Sequence, residues 1–140
     1  MDCKRLLWHS SVVPVARRNQ AARKAAALAR RRSPCPVACS LDIFGDRWTL
    51  LIVRDLLFGR ARFKDFTASP EGIPTNILAD RLERLQAHRV VEQIPAADGT
   101  KRLAYRLTEK GKALGSVLKA MRDWGLAWDK STRVLLEPGA

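Results

Sequence analysis

The stretch Ile73-Pro74-Thr75-Asn76-Ile77-Leu78-Ala79-Asp80-Arg81-Leu82-Glu83-Arg84-Leu85-Gln86-Ala87-His88 constrains the fold more than any other part of the chain. Ile77, Leu78, Leu82 and Leu85 recur at three- and four-residue spacing, so they form one stripe of a single amphipathic helix that needs an apolar scaffold behind it. The opposite face is polar from its first turn, with Thr75 and Asn76 and, one turn later, Asp80 and Arg81. An amide and a guanidinium can each make bidentate hydrogen bonds to base edges. Two readings stay open on this stretch: a helix that reads DNA, or an ordinary surface helix whose polar face is solvated.

The flanking residues favour the first. Upstream, Phe63 to Thr67 predicts a short helix with Phe63 and Phe66 inward and Arg62, Lys64 and Asp65 outward, and Ser69-Pro70-Glu71-Gly72 forces a turn. Short helix, tight turn and amphipathic helix is the helix-turn-helix order. Downstream, Val90 to Pro95 and Lys101 to Leu107 read as strands joined by Ala96-Ala97-Asp98-Gly99-Thr100, with Asp98-Gly99 at a hairpin tip. Leu103, Tyr105 and Leu107 alternate with Arg102, Ala104 and Arg106, which predicts the first three inward. A hairpin directly behind a helix-turn-helix is a wing, with Lys101 and Arg102 near its end as phosphate or minor-groove ligands; a merely solvated hairpin is the plainer alternative. The predicted fold class is mainly α (α+β): a winged helix-turn-helix with a two-stranded β-hairpin wing and a long C-terminal dimerisation helix.

The remaining segments supply the scaffold. Pro36 suits a first helical position, placing Cys35 at the cap of a helix running to about Phe44. A thiol there faces unpaired N–H groups and the positive end of the dipole, which makes Cys35 a candidate redox sensor; a small buried apolar residue is an equally good reading. Asp46 is the expected N-cap of the next helix, which carries Leu50, Leu51, Ile52, Val53, Leu56, Leu57 and Phe58 and stops at Gly59. Being apolar all round, it is expected to lie enclosed in the core. Thr108 caps the last helix, where Leu114, Val117, Leu118, Met121, Trp124 and Trp128 recur for about five turns. So long a stripe predicts a dimer interface with a second copy of the chain, packing on the domain's own first helix being the other reading.

Charge divides the chain. Of 26 basic and 14 acidic side chains in 140 residues, nine bases and one acid lie in residues 1–33, a stretch ending in Arg30-Arg31-Arg32. It reads as a basic N-terminal extension, disordered or upstream of the true start, with a DNA-binding arm and a transit peptide as sharper alternatives. The expected division is thus 1–33 extension, 34–130 domain and 131–140 tail. No apolar run reaches the ~20 residues a spanning helix needs. Three cysteines, Cys3, Cys35 and Cys39, suggest neither a disulfide framework nor a zinc site, and reduced thiols fit a cytoplasmic protein. With two histidines and no phosphate loop or nucleophile-base signature, no catalytic residue, metal or cofactor is expected.

From Cys35 to about Trp128 the chain resembles the HxlR-type winged helix-turn-helix transcriptional regulators of prokaryotes. The resemblance is carried by Cys35-Pro36, Gly45-Asp46-Arg47-Trp48-Thr49-Leu50-Leu51, Arg62-Phe63, Ile77-Leu78-Ala79-Asp80-Arg81-Leu82 and Tyr105-Arg106-Leu107-Thr108-Glu109-Lys110-Gly111. It implies a cytoplasmic homodimer binding a pseudo-palindromic operator in double-stranded DNA, with recognition helices in successive major grooves. In some members the cysteine matching Cys35 senses oxidants or electrophiles, so a small-molecule or oxidant inducer is implied only for part of the family. Arg89 departs from the usual Gly after the recognition helix; a left-handed conformation would cost an Arg roughly 1 kcal/mol, which points to a different exit.

The expected contacts follow. Pro74, Thr75, Asn76 and Arg81 meet bases and nearby phosphates from the recognition helix, Arg62 and Lys64 hold phosphates at its entry, and Lys101 and Arg102 do so from the wing. Asp80 is expected to orient Arg81 or Arg84. Two rival classes remain: a sequence-indifferent nucleic-acid binder driven by the Arg-rich leader, and a winged-helix module that binds only protein.

Overall fold

A computed structural model describes residues 32–135. The chain divides into two units, Met1–Ser33 and Pro34–Ala140. The readings made of the basic extension, and of the tail beyond residue 135, lie outside the described residues apart from Arg32 and Ser33.

Helix α1 (Pro36–Phe44) starts with Pro36 in its first turn and Cys35 as N-cap in extended backbone. Helix α2 (Thr49–Leu57) begins later than expected, with Trp48 at the N-cap position. Asp46 still does the capping: its carboxylate accepts the N–H of Trp48 at 2.9 Å and of Thr49 at 3.1 Å, and the Thr49 hydroxyl as well. Enclosure of α2 is one-sided, contrary to expectation. Ile52 and Val53 are buried, whereas Leu57 is 39% exposed, because it faces an open cleft beside the last helix rather than the core.

Helix α3 (Phe63–Thr67) is capped at its start by Asp65, whose carboxylate accepts the N–H of Ala61 and Arg62. Helix α4 (Thr75–Ala87) buries Leu78, Leu82 and Leu85, as its stripe requires. Its exit corrects an expectation. Arg89 takes the left-handed conformation, at φ +56°, despite its Cβ. Val90 N–H donates to Leu85 O and Arg89 N–H to Gln86 O, both at 2.9 Å, so two otherwise orphaned carbonyls offset the strain.

Strands β1 (Val91–Pro95) and β2 (Leu103–Leu107) pair antiparallel, with Val91 opposite Leu107 and Pro95 opposite Leu103. Both strands are shorter than predicted, which leaves Lys101 and Arg102 in the connecting loop rather than in β2. The alternation also fails at the tip, where Leu103 is 53% exposed while Ala104 is buried. The hairpin outruns the scaffold there, so distance from the core decides burial as much as phase does. Nearer the root, Tyr105 N–H donates to Ala61 O at 2.7 Å and its ring meets Phe66 edge-on, tying the wing to the entry of α3.

The predicted single C-terminal helix is two, α5 (Glu109–Lys112) and α6 (Gly115–Trp128). Thr108 caps the first by accepting Gly111 N–H. A Cβ on Gly111 would sit 2.2 Å from Val90 O, so only glycine lets the helix press this closely on the wing root. Leu114 N–H then bonds Gly111 O at 3.1 Å, a tighter turn that separates the two segments.

The core draws Ile52 and Val53 from α2, Phe66 from α3, the three α4 leucines, and Val90, Val91 and Leu107 at the wing root. Helix α6 packs beside α2, with Leu114 and Leu118 against the edge of that core.

Candidate nucleic-acid interface

With three leucines locked into the core, α4 has no freedom to roll, and its far side is fixed outward. That side exposes Pro74, Thr75, Asn76 and Ala79. The first turn holds no acidic residue and no side chain caps it. Its N–H groups and the positive end of the helix dipole therefore face outward unopposed, an arrangement suited to a phosphate.

Arg81 does not join this edge, a correction to the expected grouping. At about 3.6 residues per turn it falls on the flank beside the leucine stripe, away from Asn76. Its Nε lies 3.0 Å from Asp46 Oδ1 across the α1–α2 turn, and its Nη1 pairs with Asp80. Burial works against the Arg81 charge, but Asp46 and Asp80 outweigh it and raise its pKa. Burial likewise pushes the Asp46 carboxyl up, while hydrogen bonds from Thr49, Trp48 and Arg81 more than reverse this and leave it below the usual range. Asp80 orients Arg81, as read from the sequence. Arg84 reaches the other way and donates to Asp42 O in α1.

Arg62 is also engaged. Its guanidinium pairs with Asp98 at the wing tip, a contact that holds the wing against the start of α3. The hydroxyl and N–H of Thr100, then Arg62, hold the Asp98 carboxyl down at about 2. Lys64, Lys101 and Arg102 are exposed and form no ion pair among the described residues.

Beneath the turn that precedes α4 lies a network whose members are scattered from Arg54 to Glu71 along the chain. The buried carboxylate of Asp55 accepts from Arg54, Arg60 and Ser69, and Arg54 also grips Glu71 through both Nη atoms, at 2.6 and 2.9 Å. Arg54 holds the Glu71 carboxyl below its ordinary value, and Glu71 in turn raises the pKa of Arg54. The one advance signal was an acid flanked by Arg54 and Arg60 in an otherwise apolar helix.

Cys35 is exposed at the start of α1, and Cys39 is half-buried one turn on. Of the predicted interface stripe, Leu114 and Leu118 turn toward the core. Val117, Met121, Trp124 and Trp128 turn out, the last three 54%, 68% and 76% exposed. Among the described residues, no helix is long and apolar enough to cross a membrane.

A helix-turn-helix with an exposed polar leading edge and a hairpin tied back to it defines a winged-helix transcriptional regulator. The chain belongs to the HxlR-like helix-turn-helix family, whose model matches residues 43–133. It is 35% identical over 89 residues to the HTH-type transcriptional regulator YvaP of Bacillus subtilis (strain 168), a match covering 64% of this chain and 82% of that one. The crystal structure of PA1607 superposes with a TM-score of 0.68 and 42% identity, covering 80% of each chain. The reduced form of the transcriptional regulator YodB from B. subtilis superposes at 0.59 with 31% identity over 72% of this chain and 100% of that one, and YodB has also been solved bound to quinone.

Proposed function

We propose that this regulator acts as a cytoplasmic homodimer on a pseudo-palindromic operator in double-stranded DNA, with Thr75 and Asn76 as its base readers. The observation that carries this reading is the outward Pro74–Asn76 edge of a helix whose Leu78, Leu82 and Leu85 are buried, together with the exposed cations Lys64, Lys101 and Arg102, none of them in an ion pair among the described residues. Base edges specify and phosphates position, so the amide of Asn76 supplies discrimination and the three cations supply general affinity. Arg81 and Arg62, already paired with carboxylates, act as positioning residues that set the tilt of α4 and of the wing. The outward row Val117, Met121, Trp124 and Trp128 packs on a second copy, since an apolar surface of this kind marks a protein interface.

Binding of a selected operator and of random duplex tests the assignment. Asn76→Ala is expected to lower operator affinity by about 1–3 kcal/mol while leaving random DNA nearly unchanged. Lys101→Ala weakens both and reduces the salt slope by about 1. Equal losses on both DNAs for both variants would remove the base-reading role.

Cys35 is proposed as the point where oxidants or electrophiles act, on the strength of its exposure at a helix start and the quinone-bound state of YodB. Diamide is expected to weaken operator binding of the wild type and to spare Cys35→Ser; identical responses would leave Cys35 without a sensing role.

A further inference from the structure

We infer that the cleft between α2 and α6 binds a small amphipathic carboxylate, and that Arg54 transmits its presence to the recognition helix. The transmission rests on the regulator reading above, whereas the binding site does not. The cleft has a volume of about 440 Å³, within the ~300–1,000 Å³ of small-molecule pockets. Leu57 and Phe58 form one wall and Leu118 and Leu126 the other. The chain beyond α6 closes one end with Val134 and Leu135, and the Thr132 hydroxyl, donating to Gly125 O at 3.2 Å, helps hold it there. The apolar interior is rimmed by Arg54, Lys119, Arg122 and Arg133; Glu71 holds Arg54, Asp123 holds Lys119 and Arg122, and Arg133 forms no ion pair among the described residues. An apolar body with one anionic group matches that surface.

A second observation points the same way. Gly125 lies inside α6, where glycine costs about 1 kcal/mol relative to alanine. A Cβ there would meet nothing within 4 Å, so no close packing calls for glycine. Gly125 lines the cleft on the side of Leu118, about 40–60° around the helix from Met121 and Trp128 of the outward row. Its effect is to keep the cleft open, at a price in helix stability.

Arg54 connects the cleft to α4. It grips Glu71 by both Nη atoms, and Glu71 sits in the Ser69–Gly72 turn from which α4 departs. A ligand carboxylate at Arg54 competes with Glu71 for the same donors. Losing that grip loosens the turn and changes the presentation of Thr75 and Asn76. By linkage, operator and ligand then alter each other's affinity by the same factor.

The test uses the full chain with 1-naphthoate as probe and 1-naphthalenemethanol as its neutral counterpart, measured by calorimetry without DNA. Naphthoate is expected to bind at least about tenfold more tightly than the alcohol. Gly125→Leu should fill the cleft and lose about tenfold or more in naphthoate affinity while keeping its operator affinity. Gly125→Ala, which suits the helix better, should raise Tm and weaken naphthoate by a smaller factor, so the site stays testable if the leucine variant fails to fold. Glu71→Gln, which frees Arg54 of its competitor, should bind naphthoate several-fold more tightly. Equal binding of acid and alcohol, or undiminished binding by both Gly125 variants, overturns the site. Naphthoate that binds without changing affinity for a selected operator overturns the Arg54 link. Failure of the wild type to select any operator overturns the regulator reading and leaves the binding result standing.

Discussion

Helices α4 and α6 are of nearly equal length, 13 and 14 residues, and both are amphipathic, yet they meet opposite fates. Helix α4 buries Leu78, Leu82 and Leu85 almost completely within its own chain, whereas α6 buries none of its residues. An apolar stripe thus states that something must cover it, without stating what. For α4 the cover is intramolecular, so its polar side is held in one orientation. Of the C-terminal stripe, Leu114 and Leu118 find cover in the chain, while Val117, Met121, Trp124 and Trp128 stay exposed.

Truncation of one large apolar side chain on each helix separates the two cases most sharply. Leu82→Ala in α4 is expected to cost about 2–5 kcal/mol of unfolding free energy in urea titrations, since the cavity it leaves is closed on all sides. Trp124→Ala in α6 should cost the isolated chain little and weaken dimerisation by about 2 kcal/mol or more, read from sedimentation equilibrium. A large folding loss with no change in mass for Trp124→Ala would show that α6 is covered from within after all. The smallest effect is expected at the end of α4. Arg89→Gly relieves a left-handed conformation and should raise stability by about 1 kcal/mol, provided the two capping hydrogen bonds persist.

Much of the fold was legible because it depends on periodicity and on local chemistry. The stripe of α4, the order of short helix, turn and long helix, and the Thr108 cap all involve residues within a few positions of one another. The candidate site was legible in part. Thr75 and Asn76 are exposed where a 3.6-residue period puts them, and Lys64, Lys101 and Arg102 are exposed as read. The ion pairs of Arg81 and Arg62 were not legible, because their carboxylate partners, Asp46 and Asp98, lie 35 and 36 positions away. Nothing in a single sequence pairs charges at that distance. Exposure of Leu103 at the wing tip was hidden for a related reason: alternation fixes which side chains share a face, but not how far along the hairpin the scaffold extends.

Sequence alone determined the kinds of element, their order and the family, since each is written in short-range spacing and in five short blocks of residues. Only the tertiary structure decided which cations are free and which are tied, that Arg89 accepts a positive φ, that the last helix breaks between Lys112 and Gly115, and that a cleft opens beside α2. These outcomes depend on which distant groups come within a few ångströms of one another, and that is settled by packing the whole chain at once.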